Sequence, residues 1–535
     1  MRYARHRRGT VRRRSRLGLI WILTSSLIFG MAAAWSLSSP IPSGPDEPAQ
    51  FIKAAAVAHG TLTGEHQPGT LTIIGAVRVP QLVASTTETS SGCFYGKPSV
   101  SASCLTTAST SQQLVDATTY LSLYPPTYYA IVGLGSLIPG QIGSLEIMRL
   151  LGALVGALFL GWALATALTS ELRWLGLGVA IALTPLAIYL ISVVNSSGLE
   201  ASTAIATWTA FAAMVLSPSQ RPRPAHIWGF AISAVFLAQI RPLSPVFILC
   251  IITAVAVIRP RRTLEVLRYR PVLIACGAVG VGVVSALAFS LTHGTFSQGR
   301  LPPPHGSDGQ ILASIFGTLP TFARQSIGSF GSPDTASPVV AVGIWLLAAG
   351  LVTGLAIVTG RPWEALALGL VIISAFVLLP VLADYSHARS NGYIWQGRYQ
   401  FPLTAGVPIL ASAILGARTV HPAGVVRRCG NPAAILVCGA LAAGHLASWY
   451  WVLRRYMVGT RGAVNPFTAG ANRWHPASSF LLIAPLVVLT TVGLMALVGL
   501  LSTEPGPHRK ADGHGDGAAI GRDDQQTSLV CSPAP

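Results

Sequence analysis

The chain has 535 residues, 51% hydrophobic and only 10% charged, with a formal net charge of +18. Apolar runs of about 17–25 residues recur, each long enough to cross a ~30 Å hydrocarbon core as a helix, which excludes a soluble domain; the alternating pattern of a membrane barrel is missing. Lysine is nearly absent and arginine clusters in short links between apolar runs, a topology signal rather than a nucleic-acid surface.

Residues 1–16 contain eight Arg and read as a basic cytoplasmic anchor touching anionic membrane lipids. A cleavable signal peptide is the less favoured alternative, because the apolar run that follows, 17–39, is long and "AAAW" is a weak cleavage cue. Residues 17–501 read as an all-α polytopic membrane domain.

The first loop, 40–146, opens with "PSGPDEPAQF" (42–51), which places Asp46 and Glu47 side by side in a chain with 18 acids. Two readings stand. Acids behind a proline suit the first turn of a helix, where they complement the dipole and cap free N–H groups. A carboxylate at a membrane surface also suits a general base or a metal ligand. Over 45–60 the spacing predicts an amphipathic helix with Phe51, Ala55 and Ala58 on one side. "LTIIGAVRVPQLV" (71–83) reads as a strand. The Ser/Thr-rich stretch 84–115 holds Cys93 and Cys104, read as a disulfide in an oxidising compartment, with two free thiols as the alternative. The other cysteines, Cys250, Cys276, Cys429, Cys438 and Cys531, fall in helices or on the inner side and show no metal-ligand spacing.

Residues 124–139 form an apolar run of marginal length, and charge parity settles its reading. With the N-terminus inside, a non-crossing 124–139 puts the Arg-rich links "SPSQRPRPAH", "RPRRTLEVLRYR" and "GARTVHPAGVVRRCG" all inside; a crossing one puts all of them outside. The segment is therefore read as a juxtamembrane helix, started by Pro125-Pro126 and ended by "PG" at 139–140. The remaining runs are 147–169, 174–194, 199–217, 226–240, 243–258, 272–292, 338–358, 363–383, 401–417, 432–452 and 478–501, giving about 12 crossings with both termini inside. Outer loops fall at 293–337, 384–400 and 453–477, and 502–535 reads as a disordered cytoplasmic tail. No internal repeat is evident, and Glu200 and Glu364 fall at helix ends, where capping or snorkelling explains them.

Several arginines lie on the outer side against the charge rule: Arg241 in "QIRPLSP" (239–245), Arg324 with Asp334 in "ARQSIGSFGSPDTASP" (323–338), and Arg398 in "QGRYQFP" (396–402). A lipid headgroup or a structural ion pair accounts for such a residue, and so does a phosphate, which guanidinium binds bidentately.

These segments share an order with a known family. "PSGPDEPAQFIKAAAVAHGTL" resembles the P-x-D-E-P-x-H-x-x-(R/K) opening of the bacterial membrane family called domain of unknown function 2142. "YPPTYY" (124–129), "IGSFGSPDTASP" and "QGRYQFPL" resemble its P-P-x-Y-Y, G-x-L-G-W-L-D-T-x-x-P and Q-G-R-Y-x-x-P segments. Gln50 stands where the family usually has His, and Ser332-Pro333 replace its Trp-Leu. The family in turn resembles GT-C glycosyltransferases, which take sugars from polyprenyl-phosphate carriers and carry a catalytic acid just after the first helix. The resemblance implies a plasma-membrane transferase acting on the outer face, with a polyprenyl-phosphate-linked sugar as donor and a cell-envelope glycan or lipid as acceptor. Asp46 is the expected base and Glu47 its helper or a ligand for a divalent metal ion, no cofactor being certain. Arg398 is the main phosphate residue, followed by Arg241, Arg324 and Lys53, with Tyr399 beside it; Asp334 and Tyr128 orient the acceptor. The alternatives are a transporter or flippase for lipid-linked intermediates and a non-catalytic envelope scaffold, and replacement of the two acids separates them.

Overall fold

The computed structural model describes residues 2–66, 75–106, 109–138, 143–172, 174–295, 306–418, 424–468 and 473–502, with side chains given outside 2–14, 390–391 and 424–431. The side chains of the basic N-terminal stretch, the "PG" stop at 139–140 and the tail beyond 502 therefore lie outside the described residues.

The chain is mostly helical. Helix α1 (Arg2–Leu37) leads into a layer made of α2 (Glu47–Ala58), β1 (Glu65–His66), β2 (Gly75–Pro80), α3 (Gln81–Gly92), β3 (Leu114–Thr119) and α4 (Thr127–Val132). There follow α5 (Gly143–Thr169), α6 (Leu175–Ala182), α7 (Pro185–Ser192), α8 (Ser196–Leu216), α9 (Pro224–Ala238), α10 (Ser244–Ile258), α11 (Pro260–Leu267), α12 (Arg270–Thr292) and α13 (Asp308–Ile327). A short hairpin, β4 (Ser329–Phe330) with β5 (Thr335–Ala336), precedes α14 (Val339–Thr359), α15 (Pro362–Ile373), α16 (Leu379–Asn391), α17 (Gly397–Thr404), α18 (Gly406–Arg418), α19 (Gly424–Val458) and α20 (Phe480–Leu501).

Among the described residues nine helices are long and apolar enough to span a membrane, or up to 11 if each of two bent pairs counts as one span. The remaining three runs expected to span have identifiable irregularities. The run 174–194 is broken into α6 and α7 with a 61° bend, because Pro185 offers no N–H to the preceding turn. Thr184 caps the new helix by accepting from Ala187 N at 3.3 Å, and Trp345 Nε1 donates to the Ile181 carbonyl at 3.0 Å. The run 243–258 turns by 116° into α11 at Pro260, and α9 has only 15 residues. The bundle packs through small residues, as lipid supplies no hydrophobic drive between helices. At Gly161 on α5 an added Cβ would lie 2.1 Å from Ser25 Oγ of α1.

The layer after α1 departs from two expectations. Only Gly75–Pro80 of the strand read over 71–83 is extended among the described residues; Pro80 ends it and α3 begins at Gln81. β2 pairs antiparallel with β3, Ala76 opposite Thr118 and Val79 opposite Val115. Helix α2 is not one-sided: Phe51, Ala54, Ala55 and Ala56 are all buried, because α3, α4 and the sheet cover what would have been its polar face. α4 and the 3₁₀ turn Gly133–Leu137 pack on α2, where an added Cβ at Gly133 would lie 2.2 Å from the Ala54 carbonyl oxygen. A disulfide joins Cys93 to Cys104.

Candidate functional site

The adjacent carboxylates have separate surroundings. Glu47 is fully buried and accepts five hydrogen bonds: Arg149 Nε and Val194 N on one oxygen, both at 2.8 Å, and Arg149 Nη2, Ser43 N and Gly44 N on the other, at 2.8, 2.6 and 2.7 Å. Arg149, from α5, is buried as well and also donates to the carbonyls of Ser36, Ser39 and Pro40. This pair closes the turn between α1 and α2 and leaves Glu47 no lone pair for a metal ion or a substrate proton. The assignment of Glu47 as catalytic helper or metal ligand is therefore corrected: it does the capping work considered for the pair, on the N–H groups ahead of the helix.

Asp46 occupies the N-cap position of α2, yet its side chain makes no capping bond. Its backbone is left-handed at φ 54°, and among the described residues no other non-glycine has a positive φ. Such a conformation is tolerated by Asp but is held here by its surroundings. Asn195 Nδ2 donates to the Pro45 carbonyl at 2.5 Å, and the Tyr95 hydroxyl to that of Gly44 at 2.9 Å. The Asp46 side chain is 32% exposed; one oxygen accepts from the Tyr120 hydroxyl at 2.8 Å and the other pairs with Arg398 Nη2. Burial pushes the carboxyl up, but the Arg398 charge and the Tyr120 hydrogen bond outweigh it and hold Asp46 below its ordinary value.

Arg398 is brought to Asp46 by α17, which approaches α13 closely at Gly397. An added Cβ there would lie 2.5 Å from the Phe322 carbonyl, and Gly397 N donates to Gln325 Oε1 at 2.9 Å. Arg398 also donates to the Tyr399 hydroxyl at 2.9 Å. The Tyr399 ring lies between two guanidinium groups, Arg398 at 4.9 Å and Arg241 at 4.4 Å, within cation–π range of both. Arg241 in turn pairs with Glu200 at 3.3 Å, whose other oxygen accepts from Ser244 at 2.7 Å. Two arginines, two carboxylates and one tyrosine thus form one cluster, open at Asp46.

Other expectations are redirected. Two other outer-loop acids, Asp384 and Asp334, pair away from Arg398. Asp384 accepts from the backbone N–H groups of Ile394 and Trp395, at 2.9 and 2.8 Å. Asp334 is buried against Arg455 at 2.8 Å, and Arg455 also donates to the carbonyls of Phe94, Lys97 and Val100 in the disulfide loop. Asp334 therefore clamps that loop to α19 and does not face a substrate. Lys53 is buried and donates to the carbonyls of Leu62 and Ser122 at 2.5 and 2.6 Å, too enclosed to meet a phosphate; burial lowers its pKa to about 7. Tyr128 is buried in the α2 layer. Arg324 is exposed on α13, next to the Gln325 that holds Gly397. Glu200 is no snorkelling helix end but a buried partner of Arg241, while Glu364 does cap α15 through Arg361 N and pairs with Arg418.

The sequence reading missed Arg149, Arg455, Tyr120 and Tyr95. A charged residue at the edge of an apolar run, as in "EIMRLL" and "VLRRYM", was the available signal for the two arginines. Among the described residues no group of three or more His, Cys, Asp and Glu is placed to hold a metal ion. A cavity of about 350 Å³ lined by Met457, Phe467, His475 and Phe480 involves none of the cluster residues.

The model of a family described as predicted membrane protein (DUF2142) matches residues 29–407. The chain belongs to this family. The DUF2142 segment takes in Asp46, Glu47, Arg149, Glu200, Arg241 and Arg398, and ends before Arg455. In structure the chain is similar to ArnT from Cupriavidus metallidurans bound to undecaprenyl phosphate, over 90% of this chain and 77% of that one, at 14% identity and a TM-score of 0.43. No curated protein matches it.

Proposed function

We propose that the protein is a GT-C-type glycosyltransferase that moves a sugar from a polyprenyl-phosphate carrier to an envelope acceptor on the outer face of the plasma membrane. The observation that carries this reading is the state of Asp46: a carboxylate one-third exposed, released from helix capping by Glu47, held in a left-handed backbone and flanked by two arginines.

In the reaction the acceptor hydroxyl oxygen attacks the anomeric carbon, the carbon–oxygen bond to phosphate breaks, and the polyprenyl phosphate leaves with that electron pair. Asp46 takes the hydroxyl proton, which becomes acidic as the new bond forms. Arg398 and Arg241 neutralise the leaving phosphate; a guanidinium has five N–H groups, and Arg398 commits Nη2 alone to Asp46 and Tyr399. The pair with Arg398 keeps Asp46 ionised throughout the neutral range, so activity should not fall there through its protonation.

The test is Asp46→Asn in purified protein, assayed for sugar release from glycosylated undecaprenyl phosphate. Expected are loss of turnover by at least about 100-fold and retained carrier binding in protein that still folds, with a lowered melting point because the buried Arg398 loses its carboxylate. Near-normal turnover would remove Asp46 as the base and with it the proposed reaction.

A further inference from the structure

Among the described residues 21 buried side-chain nitrogen and oxygen atoms lack a hydrogen-bond partner, and five of them fall in the six residues "WQGRYQ" (395–400). They are Trp395 Nε1, Gln396 Oε1, Arg398 Nε and both amide atoms of Gln400. Gln400 is wholly buried. Each such atom typically costs about 1–3 kcal/mol when nothing pairs with it, so a concentration within six residues calls for a partner that is not protein. Gln396 stands in extended backbone at the N-cap of α17, and Gln400 lies four residues on, inside its first turn.

The set adjoins the Asp46 cluster. Arg398 belongs to both, with Nη2 on Asp46 and Tyr399 and Nε among the unpartnered atoms. The Trp395 ring lies 5.9 Å from that of Tyr399. Its chemistry differs from that of a phosphate site. A carboxamide offers an acceptor oxygen as well as N–H donors whichever way it is turned, and the oxygens of Gln396 and Gln400 repel an anion. A group that donates and accepts through the same atom satisfies both kinds, and an alcohol does this.

We infer that Gln396 and Gln400, with Trp395 Nε1 and Arg398 Nε, form a site that reads the hydroxyl groups of the sugar on the carrier. The inference rests on the transferase reading and adds which residues choose the sugar. Phosphate recognition belongs to the arginines and hydroxyl recognition to the glutamines, so the two separate experimentally.

The experiment measures binding of undecaprenyl phosphate, and of undecaprenyl phosphate bearing a hexose or a pentose, to wild type, Gln400→Met and Gln396→Met. Methionine nearly keeps the volume and removes the unpaired amide, so the unliganded variants should melt at or above the wild-type temperature. Expected is a wild-type preference for at least one glycosylated carrier over the bare one, reduced tenfold or more in both variants, with bare-carrier affinity unchanged within about twofold. Bare-carrier binding with no added affinity from either sugar, or a preference that survives both substitutions, overturns the sugar site while leaving the transferase reading intact. Wild type that binds neither bare nor glycosylated carrier overturns both. If Gln400→Met fails to fold, Gln396→Met decides by the same criteria.

Discussion

Replacement of Glu47 by Ala tests the division of labour between the two neighbouring acids. The change strands the Arg149 guanidinium with no carboxylate, in a site where both side chains are wholly buried. It also leaves the N–H groups of Ser43, Gly44 and Val194 without their acceptor. Breaking a buried pair from one side costs about 3–5 kcal/mol, chiefly because the remaining charge is uncompensated. One kcal/mol moves a melting point by about 2–4 °C in domains of 150–250 residues and less in larger ones, so a fall of at least about 5 °C is expected in detergent. The double variant Glu47→Ala/Arg149→Met should recover about half of the loss, since the stranded charge is gone. The assay is thermal unfolding of the purified proteins by intrinsic tryptophan fluorescence, with wild type as the reference. A Glu47→Ala protein within about 1 °C of wild type, or a double variant no more stable than Glu47→Ala, would refute the reasoning.

Arg398→Ala should weaken undecaprenyl phosphate binding by roughly 30- to 150-fold, the value of a charge-assisted contact of about 2–3 kcal/mol. It should lower stability little, because the Asp46 left behind is 32% exposed and reaches water; Arg398→Lys should restore only part of the affinity. A large stability loss with unchanged affinity would make Arg398 purely structural. Lys53 is depressed in the fold from 10.5 to about 7, so between those values the unfolded chain binds more protons and stability rises with pH. Relative to Lys53→Met, wild type should gain on the order of 4 kcal/mol from pH 7 to 10, read as diverging melting points; parallel curves would contradict the assignment. Cysteines introduced at positions 142 and 220 should be labelled by an impermeant reagent at the first and not the second, and the reverse would invert the topology.

The bundle was legible because hydropathy is a local property: each apolar run is a contiguous stretch of residues, and most runs became helices within a few residues of the limits read from the sequence. The position of the acidic pair after the first helix was equally local, as was the order of the family segments. What each acid does depended on residues far along the chain. Glu47 is buried because Arg149, 102 residues later, meets it from α5. Asp46 is left at the edge because Arg398, 352 residues later, reaches it from α17. Neither partner is encoded by spacing, and the carboxylates of "DE" are chemically alike until the fold surrounds one with five donors and leaves the other partly open to water. Likewise Glu200 reads as a helix-end acid until α10 brings Ser244 to it and the α9–α10 turn brings Arg241. Periodicity and hydropathy fix which segments leave water; the choice of partner for each buried charge is made by tertiary packing, since desolvation makes every unmatched pairing costly.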